Sequence, residues 1–319
     1  MEGYRKKMTA SISALAGTLL FVILTICPVG VSAGTRGAAE PLLPDSQGEE
    51  TLGNETVTLD VSNTAQGYFM VRYDGANPKV KISVKIGGVE TIYDMKPDEY
   101  GEYEALPLTA GSGIYEAVVY EHVQGISYNR VYEGTIEAEL DDELLPFLHP
   151  STVVDYDADS YVVQKAAELS KTAHTDFEVV EDIYLYLSGA MEYDYDSPYL
   201  VQEKGTKRYI PDVDSSLLSG KGICMDYATI MAAMLRSQGV PTKLVIGPRV
   251  KNLPGGTEET LHAWVSIYIS DAEIHSIYFD YDGELPGWVD LDPTHEMRKN
   301  SRGASIVPEY ASYYPEEYY

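Results

Sequence analysis

SGKGICMDYATIMAAMLRSQGVPTKLVIG, residues Ser219–Gly247, is the stretch whose reading decides the fold. Its apolar positions from about Cys224 to Gln238 follow a helical pattern, and Gly239 and Pro241 stand just past the end, where a helix stops. Gly220 and Gly222 allow a tight approach, which puts Cys224 in the first turn. There the unpaired amides and the helix dipole favour a thiolate over a thiol. A nucleophile and an oxyanion pocket of backbone amides both want this geometry. The competing reading is a buried structural cysteine, the common fate of a lone thiol. The position after Gly-Lys-Gly, rather than inside the apolar run, argues against it.

The chain has 319 residues and two cysteines, and the other one, Cys27, lies in an N-terminal apolar stretch. Arg5, Lys6 and Lys7 form a positive head, no charge follows until Arg36, and Val31-Ser32-Ala33 offers small residues for cleavage. Residues 1–33 therefore read as a secretory signal peptide cut after Ala33. Two alternatives stay open: retention of the run as a membrane anchor, and a lipid on Cys27. The expected place is outside the cell or on its surface, and a leader of this style suits a bacterium. Loss of Cys27 leaves no intramolecular disulfide. The net charge of −27 repels phosphate backbones, so nucleic acid is excluded as a partner.

Residues 34–54 carry Gly, Pro, Ala and Glu without periodicity and read as a linker. From Glu55 the texture changes to short alternating runs such as Val80, Ile82, Val84 and Ile86, broken by Asp74-Gly75, Gly87-Gly88 and Gly111-Ser112-Gly113. About seven strands fit before Leu140, so residues 55–140 are expected to form a β-sandwich. GSGIYEAVVYE adds a Gly-x-Tyr sequence like that at the start of the sixth strand of immunoglobulin-like domains. Residues 141–298 are mixed. Tyr161–Ala173 is helical in pattern, a second helix opens with Thr175 and Glu178 as a capping box and stops at Gly189, and the Cys224 helix follows. Strands are expected at Thr242–Val250, Leu261–Ile269 and Gly287–Thr294. Residues 299–319, rich in Tyr and Glu, hold no periodic core residues and read as a mobile tail. The motif-bearing half, from about Asp141 to Glu309, is expected to fold alone.

A thiolate catalyst needs a base, and the chain offers six histidines. His262 lies in LHAWVSIYI, an alternating strand that puts His262, Trp264, Ser266 and Tyr268 on one face. A histidine beside a tryptophan is often a satisfied core residue, but a strand would hold its imidazole rigidly. The next strand, GWVDLDPT, carries Asp290 and Asp292 on a single face. Either could hold the imidazole in its working tautomer, and spacing does not choose between them.

Taken together, these three stretches resemble the transglutaminase-like superfamily of papain-like cysteine enzymes. The family pattern is G-x-C-x-D/E-x-A before a helix ending L-R-x-x-G-[IV]-P, then H-A-W on a strand, then W-x-x-x-D-x-T. The likeness spans roughly Asp157 to Thr294 and leaves the sandwich uncovered. It implies an α+β domain with Cys224 as nucleophile, His262 as general base and acid, and Asp292 as orienter, Asp290 being the second candidate. Members often carry an aromatic or amide donor upstream that completes the oxyanion pocket. No Trp precedes Cys224 here, so Tyr193 and Tyr195 of MEYDYD are the candidates.

The expectation is thus an exported two-domain enzyme that transfers acyl groups from amides of proteins or peptides, cell-wall peptides included. Hydrolysis by a peptidase or amidase is favoured, since nothing in the motifs marks a lysine-binding channel. A protein-crosslinking transglutaminase and a non-catalytic surface-binding module are the alternatives. Asp155, Asp157 and Asp159 alternate as in a calcium loop, but Ser160 and Ala166 stand where an EF-hand needs Gly and Glu. No H-E-x-x-H or C-x-x-C occurs, and no metal or other cofactor is expected.

Overall fold

The alternating pattern of residues 55–140 asks for strands that hide one face. In the computed structural model one strand, β1 (Thr51–Gly53), precedes this region and seven occupy it: β2 (Val57–Asp60), β3 (Tyr68–Tyr73), β4 (Val80–Ile86), β5 (Val89–Asp94), β6 (Tyr103–Pro107), β7 (Gly113–Gln124) and β8 (Ser127–Ala138). The structure describes residues 36–96, 101–197, 209–253, 256–271, 274, 279–280, 284–294, 304–305 and 311–319. The signal-peptide reading therefore lies outside the described residues. The strands form two antiparallel four-stranded sheets, ordered β1-β2-β3-β6 and β5-β4-β7-β8. Leu59, Phe69 and Val71 of the first sheet and Ile82, Val119 and Ile136 of the second join one apolar cluster. The Tyr115 hydroxyl donates to the Gly111 carbonyl at 2.5 Å and so clasps the turn that precedes its own strand.

The second half opens with two helices, α1 (Tyr161–Leu169) and α2 (Asp176–Ala190). The helical pattern that predicts α1 as far as Ala173 is interrupted after Leu169, where residues 170–172 tighten into a 3-10 turn and Ser170 bonds back to the Ala166 carbonyl. The capping box expected at α2 forms in its first half, and the carboxylate of its second half reaches one residue further back, to the amide before the N-cap. Thr175 Oγ1 accepts from the Glu178 amide at 3.1 Å, and the Glu178 carboxylate accepts from the His174 amide. A short strand β9 (Glu192–Tyr193), helix α3 (Val213–Ser219) and strand β10 (Lys221–Gly222) lead into α4 (Cys224–Ser237). Every residue of α4 from Met225 to Ser237 is buried. A helix apolar on all sides belongs at the centre of a domain, and α4 packs against α1, α2, α3 and the sheet that follows.

That sheet contains β11 (Thr242–Leu253), β12 (Gly256–Ile269) and β14 (Gly287–Leu291), with β13 (Phe279–Asp280) lying between the last two in sequence and pairing instead with β15 (Ala304–Ser305). The order is β14-β12-β11, all antiparallel, and β16 (Ala311–Tyr313) and β17 (Glu317–Tyr318) extend it along the free edge of β11. Ala263, Val265, Ile267 and Ile269 of β12 enter the core that surrounds α4. The opposite face carries His262, Trp264 and Ser266, all buried as well.

Two expectations need correction. Residues 311–319, read as a mobile tail without core residues, are a strand pair with Tyr319 buried at 1% exposure. Tyr319 exchanges both backbone hydrogen bonds with Leu244, and its oxygen accepts from Arg236 Nη2 at 2.5 Å. The missing signal is periodicity: this segment docks mainly through backbone pairing, which leaves no hydrophobic pattern. The stretch 34–54, read as a linker, is likewise docked over its described part. Arg36 pairs with Asp176 at the start of α2 and donates to the Gln238 carbonyl at 2.6 Å, while the Ala39 amide donates to the Gln238 side chain. The chain then crosses to the first sheet, where the Asp45 amide meets the Tyr68 hydroxyl and β1 begins at Thr51.

The two halves share one contiguous hydrophobic cluster. Its bolt is Arg236, fully buried, which donates to the carbonyls of Thr242 at 2.8 Å and His149 at 3.0 Å besides Tyr319. Burial lowers its guanidinium to about 10, with the neighbouring Tyr156 and Tyr93 acting the other way. Tyr93 of β5 meets the Tyr319 ring edge-on at 5.5 Å, so the first half reaches the C-terminal segment directly.

Candidate active site

The turn before α4 is built by its glycines. Gly220 ends α3 in the left-handed region at φ 67°, which only glycine adopts without strain. At Gly222 a Cβ would sit 2.5 Å from the Asp226 Cβ, so no larger residue fits. Asp226 then caps the helix: its carboxylate accepts from the Ile223 amide at 2.8 Å, Tyr209 Oη at 2.8 Å and Ser216 Oγ at 2.7 Å. This explains the acidic residue two places after the cysteine. It satisfies an orphan amide and leaves the first turn of α4 rigid around Cys224.

Gly222 also pairs with Tyr193 through the parallel β9–β10 bridge. The Tyr193 hydroxyl thereby comes within hydrogen-bonding reach of both the backbone and the thiol of Cys224, while burial, reinforced by the Cys224 charge, raises its pKa and keeps it protonated. Tyr195 does not reach the site. The chain turns at Asp194, whose carboxylate accepts from the Asp196 amide, and Tyr195 is left 80% exposed against the Tyr193 ring. The sequence places both tyrosines on one strand face; the strand ends one residue too early.

β12 delivers His262, 2% exposed, to the half-buried Cys224. Nε2 of His262 lies 2.8 Å from Asp292 Oδ2, and the ring and the Cys224 thiol are close enough to shift each other's titration. With Nε2 given to the carboxylate, the nitrogen left for sulfur is Nδ1. Asp292 follows β14 and is anchored on its other oxygen by the Thr294 amide at 3.0 Å and the Thr294 hydroxyl at 2.6 Å. This accounts for the D-x-T spacing. Asp290 is exposed on β14, paired in the ladder with Ser266. Of the two carboxylates the sequence left open, Asp292 alone meets the imidazole.

The electrostatics of the line are self-consistent. Burial pushes the Cys224 thiol up, but the hydrogen bond and charge of His262 and the Ala263 amide outweigh it, and the net displacement is downward. Burial pushes His262 down, but the Asp292 carboxylate and then the thiolate outweigh it and raise the imidazole to about 9. Asp292 is held well below the usual carboxylate range: burial opposes this, and His262, Thr294 and Tyr313 prevail. Displacements of a cysteine and a histidine in opposite directions favour the thiolate–imidazolium form of the pair over the neutral one.

Two neighbours escape sequence reasoning. Tyr313 of β16 donates to Asp292 Oδ2 at 2.6 Å, and Arg249 Nη1 stands 3.5 Å from that oxygen and 3.1 Å from His262 Nε2. No periodicity or motif singles out either residue. His275 and His295 lie outside the described residues, and His122, His149 and His174 lie elsewhere, on β7, between the halves and before α2. Among the described residues no cluster of His, Cys, Asp and Glu could hold a metal ion, and no helix is long and apolar enough to cross a membrane.

No curated protein matches the sequence. Solved structures with similar folds include a proposed cysteine protease from Cytophaga hutchinsonii (15% identity, TM-score 0.35, covering 79% of this chain and 91% of that one). Another is the periplasmic domain of TgpA from Pseudomonas aeruginosa (14%, 0.30, 77% and 95%). A third is red sea bream transglutaminase (14%, 0.28, 73% and 48%). Residues 163–293 match the family model of the transglutaminase-like superfamily.

Proposed function

We propose that this chain is an exported cysteine-dependent acyl-transfer enzyme acting on amide bonds of proteins or peptides, cell-wall peptides among them. One observation carries the reading: a single imidazole bonded to a buried carboxylate and electrostatically coupled to a thiol at a helix N-terminus. The Cys224 thiolate attacks the amide carbon, and the carbonyl electron pair moves to oxygen. The Cys224 amide and Tyr193 hydroxyl stabilise that oxyanion. As the C–N bond breaks, the His262 imidazolium gives its proton to the departing amine, leaving a thioester. Neutral His262 then takes a proton from water, whose oxygen displaces Cys224 and releases a carboxylic acid. Asp292 holds the ring through both steps. With an amine in place of water the same steps give a transamidase, and hydrolysis is the simpler reading because water needs no binding site.

The first half belongs to the proposal as an immunoglobulin-like spacer or adhesive module. Support comes from the two-sheet strand order and from Tyr115, which bonds back across the turn at the start of the sixth strand counted from β2. The test is intact-mass spectrometry of the protein incubated with peptides, proteins and wall fragments, with and without a primary amine. An acyl adduct on Cys224, absent in Cys224→Ser, supports the enzyme, and product masses separate hydrolysis from transfer. A panel without adduct or turnover, with Cys224 inert to alkylation near neutral pH, leaves the surface-binding module.

A further inference from the structure

We infer that Tyr313 is a positioning residue for the Cys224–His262–Asp292 line, and that residues 311–319 are an integral strap of the active site. The inference rests on the proposed roles of those three side chains. Tyr313 stands on the edge strand β16, opposite Arg249 in the ladder, two strands away from His262. Its side chain nevertheless crosses β11. The ring meets His262 at 5.9 Å and Trp264 at 5.2 Å, both edge-on, and the hydroxyl ends on Asp292 Oδ2.

The crossing is built into β11. Gly247 is the ladder partner of His262, and a Cβ there would lie 2.0 Å from the Tyr314 carbonyl oxygen. The strap therefore passes over β11 where that strand has no side chain. Backbone bonds fix it on either side: the Tyr314 amide donates to the Pro248 carbonyl at 2.9 Å and the Glu316 amide to the Ile246 carbonyl at 3.0 Å. Beyond them Tyr319 is locked to Leu244 and Arg236.

The hydroxyl matters because Oδ2 is contested. The groups facing it are His262, Tyr313 and Arg249, and Tyr184 acts on the same carboxylate from α2. At 3.5 Å the guanidinium is ion-paired with Oδ2 at longer range than a normal hydrogen bond and stands 3.1 Å from His262 Nε2, while His262 and Tyr313 hold the oxygen. Without the Tyr313 hydroxyl, Arg249 closes on Asp292 and forms a charge-assisted bond, which draws the carboxylate away from the imidazole. His262 then loses part of its counter-charge, and the thiolate loses its imidazolium.

The test needs no substrate, only the rate of Cys224 alkylation by iodoacetamide as a function of pH in the full chain. Tyr313→Phe keeps the ring against Trp264 and removes the hydroxyl. Its acid-side step is expected to move up by about one unit, the size of effect produced by losing an opposite charge. Tyr314→Phe, at a half-exposed ring on the same strap, should leave the profile in place. Tyr313→Phe combined with Arg249→Met should move the step back toward wild type, which a purely structural tyrosine would not allow. If Tyr313→Phe does not fold, Ser312→Pro, which breaks the β16 ladder opposite Val250, must produce the same upward step. A Tyr313→Phe or Ser312→Pro profile superimposed on the wild type overturns the inference alone. A wild-type profile with no acid-side step instead overturns the function on which it rests.

Discussion

His262 Nε2 and Asp292 Oδ2 lie 2.8 Å apart inside the sheet, and that bond fixes which ring nitrogen faces Cys224. The imidazole is raised to about 9 and the thiol is lowered, so alkylation of Cys224 should show a thiolate plateau beginning below the ordinary cysteine range of about 8.5. In His262→Ala the helix terminus alone supports the thiolate while burial opposes it. The step should move to higher pH and amide turnover should vanish. An unchanged profile would mean the two side chains do not meet in solution.

Asp292 and Asp290 make a paired comparison, since sequence spacing alone treats them alike. Asp292→Asn removes the charge that holds the imidazolium, and turnover should fall by up to about 10⁴-fold. Asp290→Asn, on an exposed strand position, should change it less than twofold, on the order of an ordinary surface substitution. The linkage gives a second readout. A histidine whose folded pKa is raised contributes stability that is complete below its unfolded value of about 6.5 and is lost as pH rises through the folded value near 9. Thermal melts of the wild type should therefore decline across that window, and Asp292→Asn should flatten the decline. Parallel curves would remove Asp292 as the counter-charge.

Tyr193 should separate binding of the oxyanion from activation of the thiol. Its hydroxyl reaches the Cys224 backbone and sulfur but is bonded to neither His262 nor Asp292 in the site's hydrogen-bond network. Tyr193→Phe should lower kcat about 100-fold, the usual loss on removing one oxyanion donor. The alkylation profile should keep its acid-side step. Tyr195→Phe, at an exposed ring, should be silent. Equal losses in both variants would assign the effect to packing.

What could be read from the sequence divides along physical lines. α4 was legible because glycines open it and Gly239 and Pro241 close it, and β12 because Ala263, Val265, Ile267 and Ile269 alternate with His262, Trp264 and Ser266; Cys224 and His262 stood out as reactive residue types at positions that rigid elements hold. Tyr193 and Tyr195 could not be separated, because the turn at Asp194 depends on local hydrogen bonds that leave no pattern. Arg236 bonds to backbone oxygens, those of His149 and Tyr319 far away in the chain, and any residue can supply such an acceptor. The segments at 36–49 and 311–319 dock largely through backbone amides and single side chains, so composition alone made them a linker and a tail. Tyr313 was hidden for the same reason.

The last consequence concerns the boundary drawn at Asp141. A fragment of residues 141–309 contains Cys224, His262 and Asp292, yet it lacks three supports. It loses the segment in which Arg36 pairs with Asp176 and caps the end of α4 at Gln238. It loses β16 and β17, which leaves the edge of β11 open and Asp292 without the Tyr313 hydroxyl. It also removes Tyr93 from beside a fully buried guanidinium and strips that group of its Tyr319 acceptor. Removing one partner of a buried charge costs about 3–5 kcal/mol, a large part of a typical domain's 5–15 kcal/mol. An open strand edge adds a route to aggregation. The fragment should therefore express as insoluble or unfolded protein, whereas residues 36–319 should give a soluble protein with one cooperative melt. Circular dichroism and denaturant titration of the two chains decide the point. A soluble 141–309 fragment whose Cys224 profile matches the full chain would show that the second half needs neither flanking segment.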